Sequence, residues 1–222
     1  MPRKQRPFIR KSAERDARLV VIATEDSKAT QIYFETLVSP DFYQSSQVHV
    51  ELLPHEDTAS APEYILGQLE GWLDTYQIGT DDEFWLVIDV DNWGDVKLSQ
   101  IAQRCEQKKI SLAVSNPAIE LWFLLHLTSL NRYDTATRQT LFENKKNGAR
   151  RTPLEQAILD ITGQYNKSNL DAHRYIPHVE AAIERAKALD VNPTDRWPQQ
   201  LGTHVYPLVQ SIIESAPYGR KK

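Results

Sequence analysis

The sequence predicts an α/β fold: a parallel sheet flanked by helices, followed by a mainly helical C-terminal extension. Two observations carry that prediction. "RLVVIAT" (18–24) and "FWLVIDV" (84–90) are unbroken apolar runs rich in β-branched residues, as in strands buried on both faces. Strand-like and helix-like segments then alternate from residue 18 to 130, the order that builds a parallel sheet with crossover helices.

The elements follow in order. Residues 1–17 read as a flexible basic arm. The first strand, 18–24, leads into a helix over 27–37, with Ile32, Tyr33 and Leu37 near helical spacing and Ser27 as N-cap. "VHVELL" (48–53) alternates as a second strand. Ile65, Leu66, Leu69, Trp72 and Leu73 form the apolar stripe of a helix over 61–77. After a turn at 79–83 comes the third strand, 84–90. Asp95 is placed to cap a helix running through Cys105. "ISLAVS" (110–115) is the fourth strand. "NPAIELWFLLHL" (116–127) opens an apolar helix with Asn116 at the N-cap and Pro117 at N1. The remainder reads as helices over 152–164, 171–190 and 203–215, joined by loops at 144–153 and 191–202. The expected organisation is therefore an arm (1–17), an α/β domain (18–130) and a helical extension (131–222).

Composition narrows the function classes. With 41% hydrophobic and 25% charged residues the chain is an ordinary globular protein. No stretch approaches the roughly 20 apolar residues of a bilayer crossing, and the basic N-terminus lacks the apolar segment of a secretory signal. The single cysteine, Cys105, excludes an internal disulfide and fits a reducing, cytoplasmic setting. Net charge is −4, but its distribution is uneven. There is no Lys or Arg from Ala29 to Val96, whereas Arg3, Lys4, Arg6, Arg10, Lys11, Arg15 and Arg18 crowd the start. Lys145, Lys146, Arg150 and Arg151 form a second basic cluster. An acidic body between basic segments suits a polyanion held at its edges, such as nucleic acid. Solubilising tails would give the same pattern.

Four carboxylates fall where open α/β sheets bind ligands, at the carboxyl ends of strands. Glu25 follows the first strand, Asp89 and Asp91 end the third, and Glu120 lies in the early turns of the helix after the fourth. Carboxylates without thiolate or histidine partners favour a hard cation, Mg²⁺ or Mn²⁺. Simpler roles exist: Asp91 can open the turn "DNWG", and Glu25 can favour a helix N-terminus. Glu120 sits among large apolar residues, where an unpaired carboxylate costs several kcal/mol, so it needs a metal or an arginine. His126, six residues on, lies about 240° around the helix and reads as a core or surface histidine. There is no GxGxxG, P-loop, HExxH or CxxC pattern and no Ser-His-Asp arrangement.

"RLVVIATED…YF", "WLVIDVDNW" and "SNPAIELWFLLH", in this order, resemble the RloB-like family, found beside restriction-modification and other phage-defence genes and assigned to the Toprim superfamily. The resemblance extends through the C-terminal helices. It implies a Toprim-like, Rossmannoid sheet, with Glu25 as the superfamily's glutamate and Asp89 and Asp91 as its DxD pair, holding Mg²⁺ or Mn²⁺ for phosphodiester chemistry. Glu120 matches the acidic residue of the SNP-containing motif. The first motif, usually close to "CEGEKTEPNYF", here reads "TEDSKATQIYF", with Asp26, Ser27 and Thr30 at altered positions. Lys28 remains, either to contact a scissile phosphate or as an exposed lysine at a helix start.

The expectation is a metal-dependent nuclease acting on RNA or DNA in anti-phage defence, with Glu25, Asp89, Asp91 and Glu120 as catalytic residues. Lys28, Lys145, Lys146, Arg150 and Arg151 would contact substrate, and a defence-system ATPase is an expected partner. Two rivals stand beside it: a non-catalytic nucleic-acid- or protein-binding module that regulates such an ATPase, and a receiver-like or phosphotransferase domain.

Overall fold

The computed structural model describes residues 17–25, 28–54, 61–90, 93–148 and 150–215. The basic arm before residue 17, together with Asp26, Ser27 and Asp91, lies outside the described residues.

The α/β expectation holds. Five strands form one sheet in the order β2-β1-β3-β4-β5: β1 (Arg18–Thr24), β2 (Val48–Leu52), β3 (Glu83–Asp89), β4 (Ser111–Asn116) and β5 (Gly202–Thr203). The first four run parallel, and β5 joins β4 antiparallel through Ser115↔Thr203 and Asn116↔Gly202. The two-residue β5 lies in a stretch that reads as the end of a loop and the start of a helix in the sequence.

The side-chain alternation of a strand divides the core into two layers. Val20 and Ile22 of β1, with Trp85 and Val87 of β3, face one side. There they meet α1 (Ala29–Leu37), α4 (Glu120–Leu127), α6 (Pro153–Thr162), α7 (Val179–Leu189) and α8 (Val205–Glu214). Leu19, Val21 and Ala23, with Leu86 and Ile88, face α2 (Pro62–Leu73) and α3 (Asp95–Lys108) on the other. A further helix, α5 (Thr135–Glu143), falls in a segment without a sequence prediction.

From Leu121 to Leu125 every residue of α4 is fully buried. The helix lies in contact with α6 and α7 as well as with β4. That is why its sequence is apolar all round rather than striped. The C-terminal helices thus share a core layer with β1 and β3. At the opposite edge, the Arg18 guanidinium ion-pairs with Glu83, contacts the Ser211 side chain and carbonyl, and donates to the Ser215 hydroxyl, tying α8 to the starts of β1 and β3.

Several boundaries differ from the sequence reading, for local reasons. Asn116 ends β4, the Asn116–Pro117 peptide is cis, and α4 begins only at Glu120. Asn116 is therefore not an N-cap; its amide donates to the Pro198 carbonyl. Asp95 is the first residue of α3 rather than its cap, which is Gly94. Two short 3₁₀ turns (Ala172–Arg174 and Ile176–His178) precede α7, because Pro177 cannot donate within a continuing helix. No helix among the described residues is long and apolar enough to cross a membrane.

Candidate carboxylate site at the sheet switch point

After β1 the chain moves to one side of the sheet to make β2, then returns to the other side of β1 to make β3. The order reverses between β1 and β3, which opens a crevice at their carboxyl ends. Glu25 and Asp89 stand at that point, each half-buried.

The parallel ladder sets their approach. The Glu25 backbone N–H donates to the Val87 carbonyl at 2.9 Å, continuing the β1–β3 register beyond Thr24↔Val87. The Glu25 side chain then turns over the end of β3. Its Oε2 accepts the Asp89 backbone N–H at 3.1 Å, and its Oε1 accepts the Trp93 indole N–H at 3.0 Å. Bond lengths alone then keep the two carboxyl groups within about 7 Å of each other. Trp93 is itself fixed. Its backbone N–H donates to the Val90 carbonyl at 3.0 Å, and the Lys97 ammonium sits 3.8 Å from the centre of its ring while pairing with Glu63 at 3.0 Å. Val90 donates to both the Ser115 and Pro117 carbonyls, at 2.9 and 3.2 Å, which binds the turn after β3 to the turn after β4.

Glu120 has its own environment. It is 3% exposed, and its Oε1 accepts from the Tyr165 hydroxyl at 3.1 Å and from the Lys167 ammonium at 3.0 Å. Both partners come from the loop after α6. They meet the need for a partner that the sequence reading assigned to a metal or an arginine. As the first residue of α4, Glu120 also faces the favourable end of the helix dipole. Among the described residues no three His, Cys, Asp or Glu side chains close around one point. Glu25 and Asp89 stand together, and Glu120 stands with Tyr165 and Lys167.

Two oxygen-donor carboxylates are a donor set that suits Mg²⁺, which keeps several waters and commonly takes one or two protein carboxylates plus substrate phosphate. Lys28 is exposed at the start of α1, three residues past Glu25. In the second basic cluster, Lys145, Lys146 and Arg150 are positioned by the loop after α5, the two lysines exposed, and Arg151 is half-buried. Arg18 departs from the expected basic arm: it belongs to β1, and its charge is spent on Glu83. His126 is a core residue, its Nε2 3.1 Å from the Tyr33 hydroxyl and its Nδ1 2.8 Å from the Trp122 carbonyl. Cys105 is buried in α3, and its thiol is pushed up to about 12 by burial and the nearby Glu70 carboxylate, so it is inert packing.

The site residues that the sequence analysis does not name are Trp93, Tyr165 and Lys167. "DNWG" offered an indole close to the paired aspartates as a signal. "QYNKS" offered none, because its role depends on a contact spanning 45 residues. A family model described as RloB-like protein matches residues 20–212. No curated protein and no solved structure matches the chain.

Proposed function

The chain belongs to the RloB-like family, and from that premise we propose that it is a divalent-metal-dependent nuclease that cleaves RNA or DNA in anti-phage defence. The observation that carries this reading is the hydrogen bond from the Asp89 backbone to the Glu25 side chain, which brings two carboxylates together at the switch point of the sheet. Glu25 and Asp89 would hold Mg²⁺ or Mn²⁺, with Asp91 as the third candidate ligand. A cation held there supplies a Lewis acid for the phosphodiester and charge for its leaving oxygen.

The chain's own residues prepare that step. The Asp89 N–H and the Trp93 indole fix both oxygens of Glu25 and so orient its carboxylate over the end of β3. Lys97 holds the Trp93 ring from its outer side. Lys28, at the start of α1, would meet a substrate phosphate.

Glu25→Gln and Asp89→Asn test the reading. Each should abolish Mn²⁺ binding by calorimetry and lower Mg²⁺-dependent cleavage of RNA, single-stranded or duplex DNA by orders of magnitude; Asp89→Asn should leave thermal unfolding nearly unchanged, whereas Glu25→Gln, which sets an amide NH2 against one of two N–H donors, should cost about 1–3 kcal/mol. Wild-type cleavage that survives both substitutions would remove the nuclease centre from this site.

A second reading has one specific observation in its favour. Both Glu25 oxygens already accept N–H bonds, and no third acidic side chain joins Glu25 and Asp89 among the described residues. A non-catalytic module that binds nucleic acid and regulates a partner ATPase would need no more than this. Absence of Mn²⁺ binding by the wild type would favour it.

A further inference from the structure

A pocket of about 560 Å³ lies between α5 and α6, apart from the Glu25–Asp89 crevice. Its size is that of a small-ligand site. Helix α6 separates its two faces cleanly. Leu154 and Ile158 are fully buried in the core, while Pro153, Gln156, Ala157, Asp160 and Ile161 line the pocket at i, i+3, i+4, i+7 and i+8. Tyr133 and Leu141 complete the apolar wall, and Ile161 remains 46% exposed.

The loop between the helices supplies positive charge. Lys145, Lys146 and Arg151 border the pocket, and none of the three makes an ion pair or side-chain hydrogen bond among the described residues. Arg18, Arg104, Arg138 and Arg185, by contrast, are engaged by carboxylates or carbonyls. The loop is held at both feet. The buried Asn144 accepts the Leu154 N–H at 3.2 Å, and Thr152 and Glu155 form a reciprocal capping box. Helix α6 therefore presents the cations at its Pro153 end. Seven residues along, about 10 Å away, Asp160 and Ile161 mark the other end. The one carboxylate in the wall, Asp160, accepts from the Gln156 amide at 2.6 Å.

We propose that this pocket takes one nucleotide of a single-stranded nucleic acid, its phosphate on Lys145, Lys146 and Arg151 and its base against Tyr133 and Ile161. The proposal rests on the nucleic-acid part of the proposed function and narrows it to unpaired strands. A duplex keeps its bases stacked inside and cannot offer one to an apolar wall, whereas an unpaired base can lie against tyrosine. Asp160, at the end away from the cations, has an acceptor for an exocyclic amine, so adenine and cytosine are favoured over uracil and thymine. A free nucleotide has the same chemistry as a strand residue, and the test separates the two.

The full chain is kept in EDTA, where no metal-dependent cleavage occurs. Fluorescence anisotropy then measures binding of labelled single-stranded oligo(A), oligo(U) and a duplex of equal length. Wild type should bind oligo(A) best and the duplex worst. Lys146→Glu with Arg151→Glu should weaken single-strand binding by about tenfold or more and flatten its salt dependence. Ile161→Ser, an uncharged change at a position 46% exposed, should weaken it by about tenfold without changing the salt slope. Val191→Ala, at an exposed position outside both the pocket and the crevice, should bind as wild type. If adenosine monophosphate binds as tightly as the strand, the pocket stands and its ligand is the free nucleotide. Pocket variants that bind oligo(A) like wild type would overturn the proposal even if the protein cleaves. Loss of binding in those variants from a protein that cleaves nothing would keep the pocket and discard the nuclease.

Discussion

His126, which the sequence reads as a core or surface histidine, is a core residue whose ring is held by two neighbours. It lies at the end of an apolar helix, wholly buried, with both ring nitrogens at hydrogen-bonding distance from neighbours. The Tyr33 hydroxyl can donate to Nε2 while Nδ1–H donates to the Trp122 carbonyl, an arrangement that needs the neutral ring. Burial pulls its pKa down to about 3, with nearby His178 and Arg185 acting in the same direction and the Trp122 carbonyl against it. Between about 3 and the ordinary histidine value of 6.5 the unfolded chain binds a proton that the folded chain refuses. Stability from this group is therefore full above that window and falls with decreasing pH inside it, by up to about 1.4 kcal/mol per pH unit. Urea unfolding from pH 7 to pH 4 should show a slope steeper by about one proton in wild type than in His126→Gln. Equal slopes would mean that His126 is not held neutral. Glu120, a buried carboxylate on an apolar helix, does need a partner, and here the partners are a tyrosine and a lysine.

At the scale of elements, α4 organises the half of the molecule that carries the C-terminal helices. Its residues Leu121 to Leu125 have no exposed surface, and Trp122, Phe123, Tyr33 and Tyr175 pack edge-on or tilted around His126. Leu124→Ala should cost about 2–5 kcal/mol, the range for truncating a core leucine that its neighbours cannot close over. Val96→Ala, at an exposed position in the first turn of α3, should stay within about 0.5 kcal/mol. Chemical denaturation of the two variants checks both figures. Similar losses would mean that α4 is not the packing centre. A shift of Glu25–Asp89 chemistry in Leu124→Ala beyond the fraction unfolded would show that α4 also sets the crevice.

For the whole molecule, charge placement matters more than net charge. The sheet's carboxyl edge carries carboxylates, the α5–α6 loop carries cations, and six further cations lie before residue 17. A strand reaching from the pocket to the crevice would pass along α6 toward the loop of Tyr165 and Lys167. If the arm follows the same strand, deleting residues 1–16 should weaken single-strand binding. The log–log salt slope should then shrink by about 0.7 for each phosphate that the arm no longer neutralises. An unchanged slope would leave the arm a solubilising tail.

The alternation of strands and helices, the two-faced burial of β3 and the placement of Glu25 and Asp89 at strand ends were legible in the sequence. Each rests on local information: runs of β-branched residues, helical spacing, and the residue that follows a strand. Locality also explains the errors at boundaries. Asn-Pro before an apolar run reads as a helix start, whereas here the strand runs through Asn116 and the helix waits until Glu120. Only the tertiary structure decided the rest. The neighbours of β1 are set by sheet order, which no strand encodes alone, and that order made Glu25 and Asp89 partners. Tyr165 and Lys167 reach Glu120, Gly202 and Thr203 extend the sheet, and α5 and α6 enclose a cationic pocket. The first two join segments far apart in the chain, and all three are fixed by how whole faces pack, because each apolar face must find another to leave water.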